Sequence, residues 1–136
     1  MNRRTLLISA AALTLAPAAH ASERVFYTPG LAEAALEAGE TVVLDFWTDW
    51  CSTCAAQQRV LAALKAETPD YEAHLRFITV DWDQHGRGAL SQALAIPRRS
   101  TLVALKGRQE LGRIVAGTAR DDIAALLDRA LLAART

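Results

Sequence analysis

A chain of 136 residues, 51% of them hydrophobic, with 15 Lys and Arg against 15 Asp and Glu, has the material for one domain around one core. The balanced charge, with no clustered basic stripe, excludes a nucleic-acid surface as its organising feature. Its two cysteines, Cys51 and Cys54, would close too short a loop to staple a fold, so they point to chemistry.

Residues 1–21 read as a secretory signal. Arg3 and Arg4 make a basic start, and residues 6–15 form an apolar stretch too short to span a bilayer. Pro17 breaks that stretch, and Ala19-His20-Ala21 offers a small-x-small cleavage site. The paired arginines leave both twin-arginine and general export open, with an uncleaved anchor as the alternative. Cleavage after Ala21 leaves residues 22–136, about 115 residues, as one domain carrying 13 basic and 15 acidic side chains. Such a domain would work in a compartment that permits disulfides. No second apolar run is long enough for a membrane span.

Within that domain, residues 22–28 suggest a short first strand through Val25, Phe26 and Tyr27, punctuated by Pro29-Gly30. A short helix is expected over 31–38, stopped by Gly39. Residues 41–47 are nearly continuously apolar and β-branched, as in a central strand buried on both faces. A helix follows over 55–64, carrying Val60, Leu61 and Leu64 and ending before Thr68-Pro69-Asp70. Residues 75–80 are the next strand, 81–86 a polar turn and 89–95 a third helix. After the break at Pro97-Arg98-Arg99, residues 101–105 and 110–115 form a hairpin about Lys106-Gly107-Arg108. A last helix over 121–132 carries Asp121 and Asp122 in its first turn and an apolar stripe of Ile123, Leu126, Leu127 and Leu131.

The two thiols sit where the central strand feeds a helix. Cys51 is placed near unpaired N–H groups and the positive end of the helix dipole, which favours a thiolate. Cys54 lies about one turn further on, close enough to resolve a mixed disulfide. A structural zinc site would need four protein ligands, and His74, His85 and scattered carboxylates have no ligand-like spacing. Asp45 stands in an otherwise apolar strand, where an unpaired carboxylate is costly and its pKa should rise. Asp49 reads as a solvated neighbour and His85 as a solvated turn residue.

The run Asp45-Phe46-Trp47-Thr48-Asp49-Trp50-Cys51-Ser52-Thr53-Cys54 resembles the thioredoxin active-site block, D-F-W-A-x-W-C-x-x-C. Its Asp-Trp-Cys variant is similar to the C-terminal domain of the periplasmic thiol:disulfide interchange reductases. The resemblance implies an α/β, thioredoxin-like fold, a central mixed β-sheet flanked by helices, in the order β-α-β-α-β-α-β-β-α. It implies a thiol:disulfide oxidoreductase that needs no cofactor beyond its redox-active disulfide. Asp45 would exchange a proton with Cys54, and Trp47 and Trp50 would shield and shape the disulfide surface. Partners would be thiols and disulfides of other exported proteins, with a membrane electron donor behind a monomeric, periplasmic or secreted reductant.

This chain departs from the family pattern in three places. Ser52-Thr53 replaces Gly-Pro between the cysteines, and Thr79 stands where many thioredoxins carry a lysine. At the position of the family's cis-proline, alignment on Thr101-Leu102-Val103 puts Ser100, preceded by Arg99; the alternative uses Pro97 and treats 98–100 as an insertion. Hairpin length favours Ser100. A non-proline residue there should keep a trans bond. Arg98 and Arg99 fall near the dithiol either way and would favour the Cys51 thiolate. A dithiol module holding a soft ion such as Cu(I) is the alternative function, though no methionine or histidine cluster supports it.

Overall fold

The computed structural model describes residues 23–136; the expected signal segment, 1–21, and Ser22 lie outside the described residues. The elements run α1 (Leu31–Glu37), β1 (Thr41–Trp47), α2 (Ser52–Glu67), α3 (Asp70–His74), β2 (Leu75–Asp81), α4 (Trp82–His85), α5 (Ala89–Ala93), β3 (Thr101–Lys106), β4 (Gln109–Val115) and α6 (Arg120–Ala134). The strands form one mixed sheet in the order β2-β1-β3-β4. β1 pairs parallel with β2 and antiparallel with β3, and β3 pairs antiparallel with β4.

β1 is the centre of the molecule because its side chains alternate between two cores. Val42, Leu44 and Phe46 join Val103 and Leu105 beneath α1, α4 and α5, while Val43 joins Leu102 and Ala104 beneath α2, α3 and α6. The expected α6 stripe is buried as a unit, with Ile123, Leu126 and Leu127 fully covered. Gly112 on β4 lets α6 approach: a β-carbon there would stand 3.0 Å from Leu126 Cδ1. No described helix is long and apolar enough to cross a membrane.

Four expectations need correction. Of the first strand, expected over 22–28, the described residues form only an isolated bridge between Phe26 and Thr79, held by Tyr27 N–H to Thr79 O (2.7 Å) and Thr79 N–H to Val25 O (2.8 Å). Pro29 ends the segment before it can extend a ladder, and Val25 and Phe26 remain exposed. The polar turn at 81–86 contains the one-turn helix α4, because the Asp81 carboxylate accepts from Asp83 N–H (2.9 Å) as an N-cap. α3 follows Pro69, which starts a helix as readily as it breaks one, with Asp70 and Glu72 in its first turn. His85, read as a solvated turn residue, is half-buried and stands edge-on to Tyr27 at 5.1 Å, because α4 turns it inward.

Candidate active site

The dithiol lies where β1 passes into α2. Cys51 is the N-cap of α2, in extended backbone, and its sulfur accepts from Cys54 N–H at 3.2 Å. Helix therefore starts at Ser52, not at the expected residue 55: the thiol itself satisfies one of the free N–H groups of the first turn. Both cysteines are free thiols. Cys51 is 5% exposed and Cys54 not at all, so only Cys51 meets solvent.

Their surroundings push the two thiols in opposite directions. Burial alone would raise the Cys51 pKa, but hydrogen bonds from the Cys54 thiol, the Ser100 hydroxyl, the Cys54 N–H and Arg99 outweigh it and bring Cys51 down to about 6. Burial raises the Cys54 pKa, and its hydrogen bond to Cys51 raises it further. The arrangement gives an acidic thiol at the edge of solvent backed by a fully covered, protonated one.

Ser100, not Pro97, faces this pair. Its hydroxyl lies 3.1 Å from Cys51 Sγ and 3.1 Å from Cys54 Sγ. The described residues contain no cis peptide bond, and Ser100 instead adopts φ +63°. Backbone contacts hold that conformation: Ser100 N–H donates to Phe46 O (2.6 Å), and its carbonyl accepts from Ala116 N–H (2.8 Å). The Gln57 amide, fully buried on α2, donates to the carbonyls of both Ser100 and Gly117, each at 2.9 Å. Gln57 thus ties the site helix to two loops at once. Replacing it with leucine leaves Gly117 O without this donor and is expected to lower stability by about 2–3 kcal/mol, read from urea unfolding at constant m-value.

Arg99 is half-buried, with its guanidinium carbon 4.2 Å from the Trp50 ring centre and its charge facing Cys51. Arg98 is exposed and donates to the Arg99 carbonyl. Trp50 is 60% exposed and is pinned by Nε1–H to Asp83 Oδ2 (2.9 Å), which gives α4 a place in the site. The Trp47 ring packs instead against Phe26 (5.8 Å) and Arg24 (4.7 Å).

Asp45 lies on the β1 face turned toward α2, in register with Thr79 of β2 and Leu102 of β3. It is buried; Oδ2 accepts a short hydrogen bond from Gln58 Nε2, and Oδ1 has no partner. Burial raises its pKa to about 7, against the opposing pull of Arg24, the Gln58 amide and Lys65. Arg24 also donates to Gln58 Oε1 (2.7 Å). The missing strand lysine is therefore matched by cations from the N-terminal segment and from α2. Arg24, Gln58, Lys65, Asp45 and Thr79 line a cavity of about 690 Å³ between β1, β2 and α2.

The structure brings the expected Cys51, Cys54, Ser100, Arg99 and Trp50 together and buries Asp45 on β1, while Gln57, Gln58, Arg24 and Lys65 were not anticipated from the sequence. One signal was available: Cys54, Gln57, Leu61 and Leu64 share one buried helical stripe, so Gln57 is a polar residue at a core position. For the alternative soft-ion reading, no third ligand joins the thiols: among the described residues no group of three or more His, Cys, Asp or Glu could hold a metal ion.

Comparison with known proteins agrees with this geometry. The Thioredoxin family model matches residues 28–129. Thioredoxin of Staphylococcus aureus is 31% identical over 97 residues, which cover 71% of this chain and 86% of that protein. The crystal structure of Trxlp from Edwardsiella tarda superposes with a TM-score of 0.66 at 28% identity, covering 76% of this chain and 97% of the other. The Fasciola hepatica thioredoxin structure does so with a TM-score of 0.62 at 26% identity, covering 79% and 98%. With its strand order, its matched length and its paired thiols all in agreement, the chain belongs to the thioredoxin family and is a disulfide oxidoreductase that works through Cys51 and Cys54 without a bound cofactor.

Proposed function

We propose that this protein is exported, loses residues 1–21, and reduces or relays electrons to disulfides of other exported proteins. Cys51 is the nucleophile. Its thiolate attacks one sulfur of a substrate disulfide, forming a mixed disulfide and releasing the first substrate thiolate. Cys54 then gives up its proton, for which buried Asp45 is the acceptor, and attacks Cys51 Sγ. The Cys51–Cys54 disulfide forms and the second substrate thiolate leaves, so two electrons pass to the substrate, whose thiolates take up the proton released through Asp45 and one from solvent. A donor at the membrane must return the electrons, since the periplasm is held oxidising. Trp50 and Arg99 present the surface that a substrate meets, and Trp47 supports it from the Arg24 side.

The observation that carries the exchange reading is the placement of the two thiols at one helix start: Cys51 caps α2 with the Ser100 hydroxyl 3.1 Å away, and Cys54 is fully covered, which sets their opposed acidities. It also bears on direction. A Cys51 pKa of about 6 lies nearer the ~7 of reducing members of the fold than the ~3.5 of the strong periplasmic oxidant. A dithiol potential measured in glutathione buffers is therefore expected nearer about −270 mV than about −120 mV. A value at the oxidising end would overturn the reductant role and leave an oxidase in its place.

A further inference from the structure

The Ser100 hydroxyl stands between the two reacting atoms, 3.1 Å from each sulfur. It is fully buried, and the sulfurs are its only hydrogen-bond partners among the described residues. Its place is not adjustable. The backbone is held at φ +63°, in a region that costs a residue with a β-carbon strain, by the contacts to Phe46, Ala116 and Gln57. A proline at this position would bring no hydroxyl and no N–H.

A serine hydroxyl has one proton and two acceptor lone pairs, so it can donate to only one sulfur at a time. With the negative charge on Cys51 in the reduced protein, the hydroxyl donates there, and the single Cys54 S–H proton is left to face either Cys51 Sγ or the hydroxyl oxygen. Once Cys51 is bonded to a substrate sulfur, that charge is gone and the donor is free to turn. We propose that the Ser100 hydroxyl is a donor switch that follows the negative charge, stabilising the Cys51 thiolate before attack and the Cys54 thiolate during resolution. Ser100 keeps its proton throughout; the Cys54 proton leaves separately, and Cys54 then bonds to Cys51 as the substrate sulfur departs with the electron pair. One group thus serves both halves of the exchange. The other groups acting on Cys51 cannot do this: Cys54 is itself a reactant, its N–H is fixed in the backbone of α2, Arg99 faces Cys51 from the Trp50 side, and Asp45 on β1 carries like charge.

This inference rests on the assignment of Cys51 as nucleophile and Cys54 as resolving thiol. A chromogenic aromatic disulfide separates the steps, because the first aryl thiolate reports attack by Cys51 and the second reports resolution by Cys54. In the native protein, two sequential releases are expected. In both Ser100→Ala and Ser100→Gly, the first release at pH 6 should slow about tenfold as the Cys51 profile moves to higher pH, and the second should slow about tenfold or more at pH 7. The glycine variant accommodates positive φ, so agreement between the two assigns the effect to the hydroxyl rather than to strain. Variants that slow the first release alone would make the hydroxyl a fixed donor to Cys51 and overturn the switch. Absence of any first release from the native protein would instead overturn the exchange reading itself.

Discussion

Asp45→Asn is expected to stabilise the protein by about 2–4 kcal/mol at pH 8 and by under about 1 kcal/mol near pH 4. Asp45 carries a pKa of about 7 when folded and an ordinary carboxylate value when unfolded. Between about pH 4 and 7 the native state therefore holds a proton that the unfolded state has released, and stability falls as pH rises. Above pH 7 the charge is buried, and the penalty levels off at about 4 kcal/mol for a shift of this size. Below about pH 4 both states are protonated and the penalty vanishes. Asparagine keeps the shape and can still accept from Gln58, but it carries no charge, so the pH-dependent part disappears. Urea unfolding of both proteins at pH 4 and pH 8 reads this directly. A difference that is the same at the two values would mean that Asp45 is ionised throughout, held by Arg24 and Lys65, and is no proton carrier. A native carboxylate that lowers stability at working pH is what a group retained for chemistry looks like.

How much of this was legible beforehand follows from the range of the forces involved. β1 was readable because seven residues nearly all buried on both faces leave a continuous apolar run, and α6 because its stripe repeats at the helical period over fifteen residues. α3 and α4 are five and four residues long, too short for any period to show. Their signals were single residues, Pro69 and Asp81, which the sequence uses equally for breaks and for caps. The bridge at Phe26 could not be distinguished from a strand, because local composition does not say whether a neighbour runs alongside. At the site, Cys51, Cys54 and Asp45 were visible from chemistry and spacing along one stretch of chain. The cations facing Asp45 were not: Arg24 arrives from an N-terminal segment and Lys65 from three turns along α2, so only the folded arrangement brings them together. Ser100 was placed by counting back from the hairpin, yet its contact with both sulfurs depends on a positive φ that no local residue pattern announces.

Substituting the two cysteines one at a time is expected to give unequal results. Cys54→Ala should lower multiple-turnover reduction of insulin by about a thousandfold or more while letting a mixed disulfide with substrate accumulate to one per protein, since attack survives and resolution does not. Cys51→Ser should abolish turnover equally but trap nothing. The asymmetry comes from access and acidity together. Cys51 meets solvent at the start of α2, and a pKa of about 6 leaves it mostly ionised at pH 7. Cys54 is fully covered, and its pKa is raised, so a substrate disulfide can neither reach it nor find a thiolate there. Serine at 51 also keeps a polar N-cap for α2, so loss of trapping cannot be put down to a frayed helix. The measurement is non-reducing electrophoresis of each variant after mixing with insulin at pH 7, with release by dithiothreitol as the control. Equal capture by both variants would mean that α2 opens enough to expose Cys54, and the division of labour between the two sulfurs would fall with it.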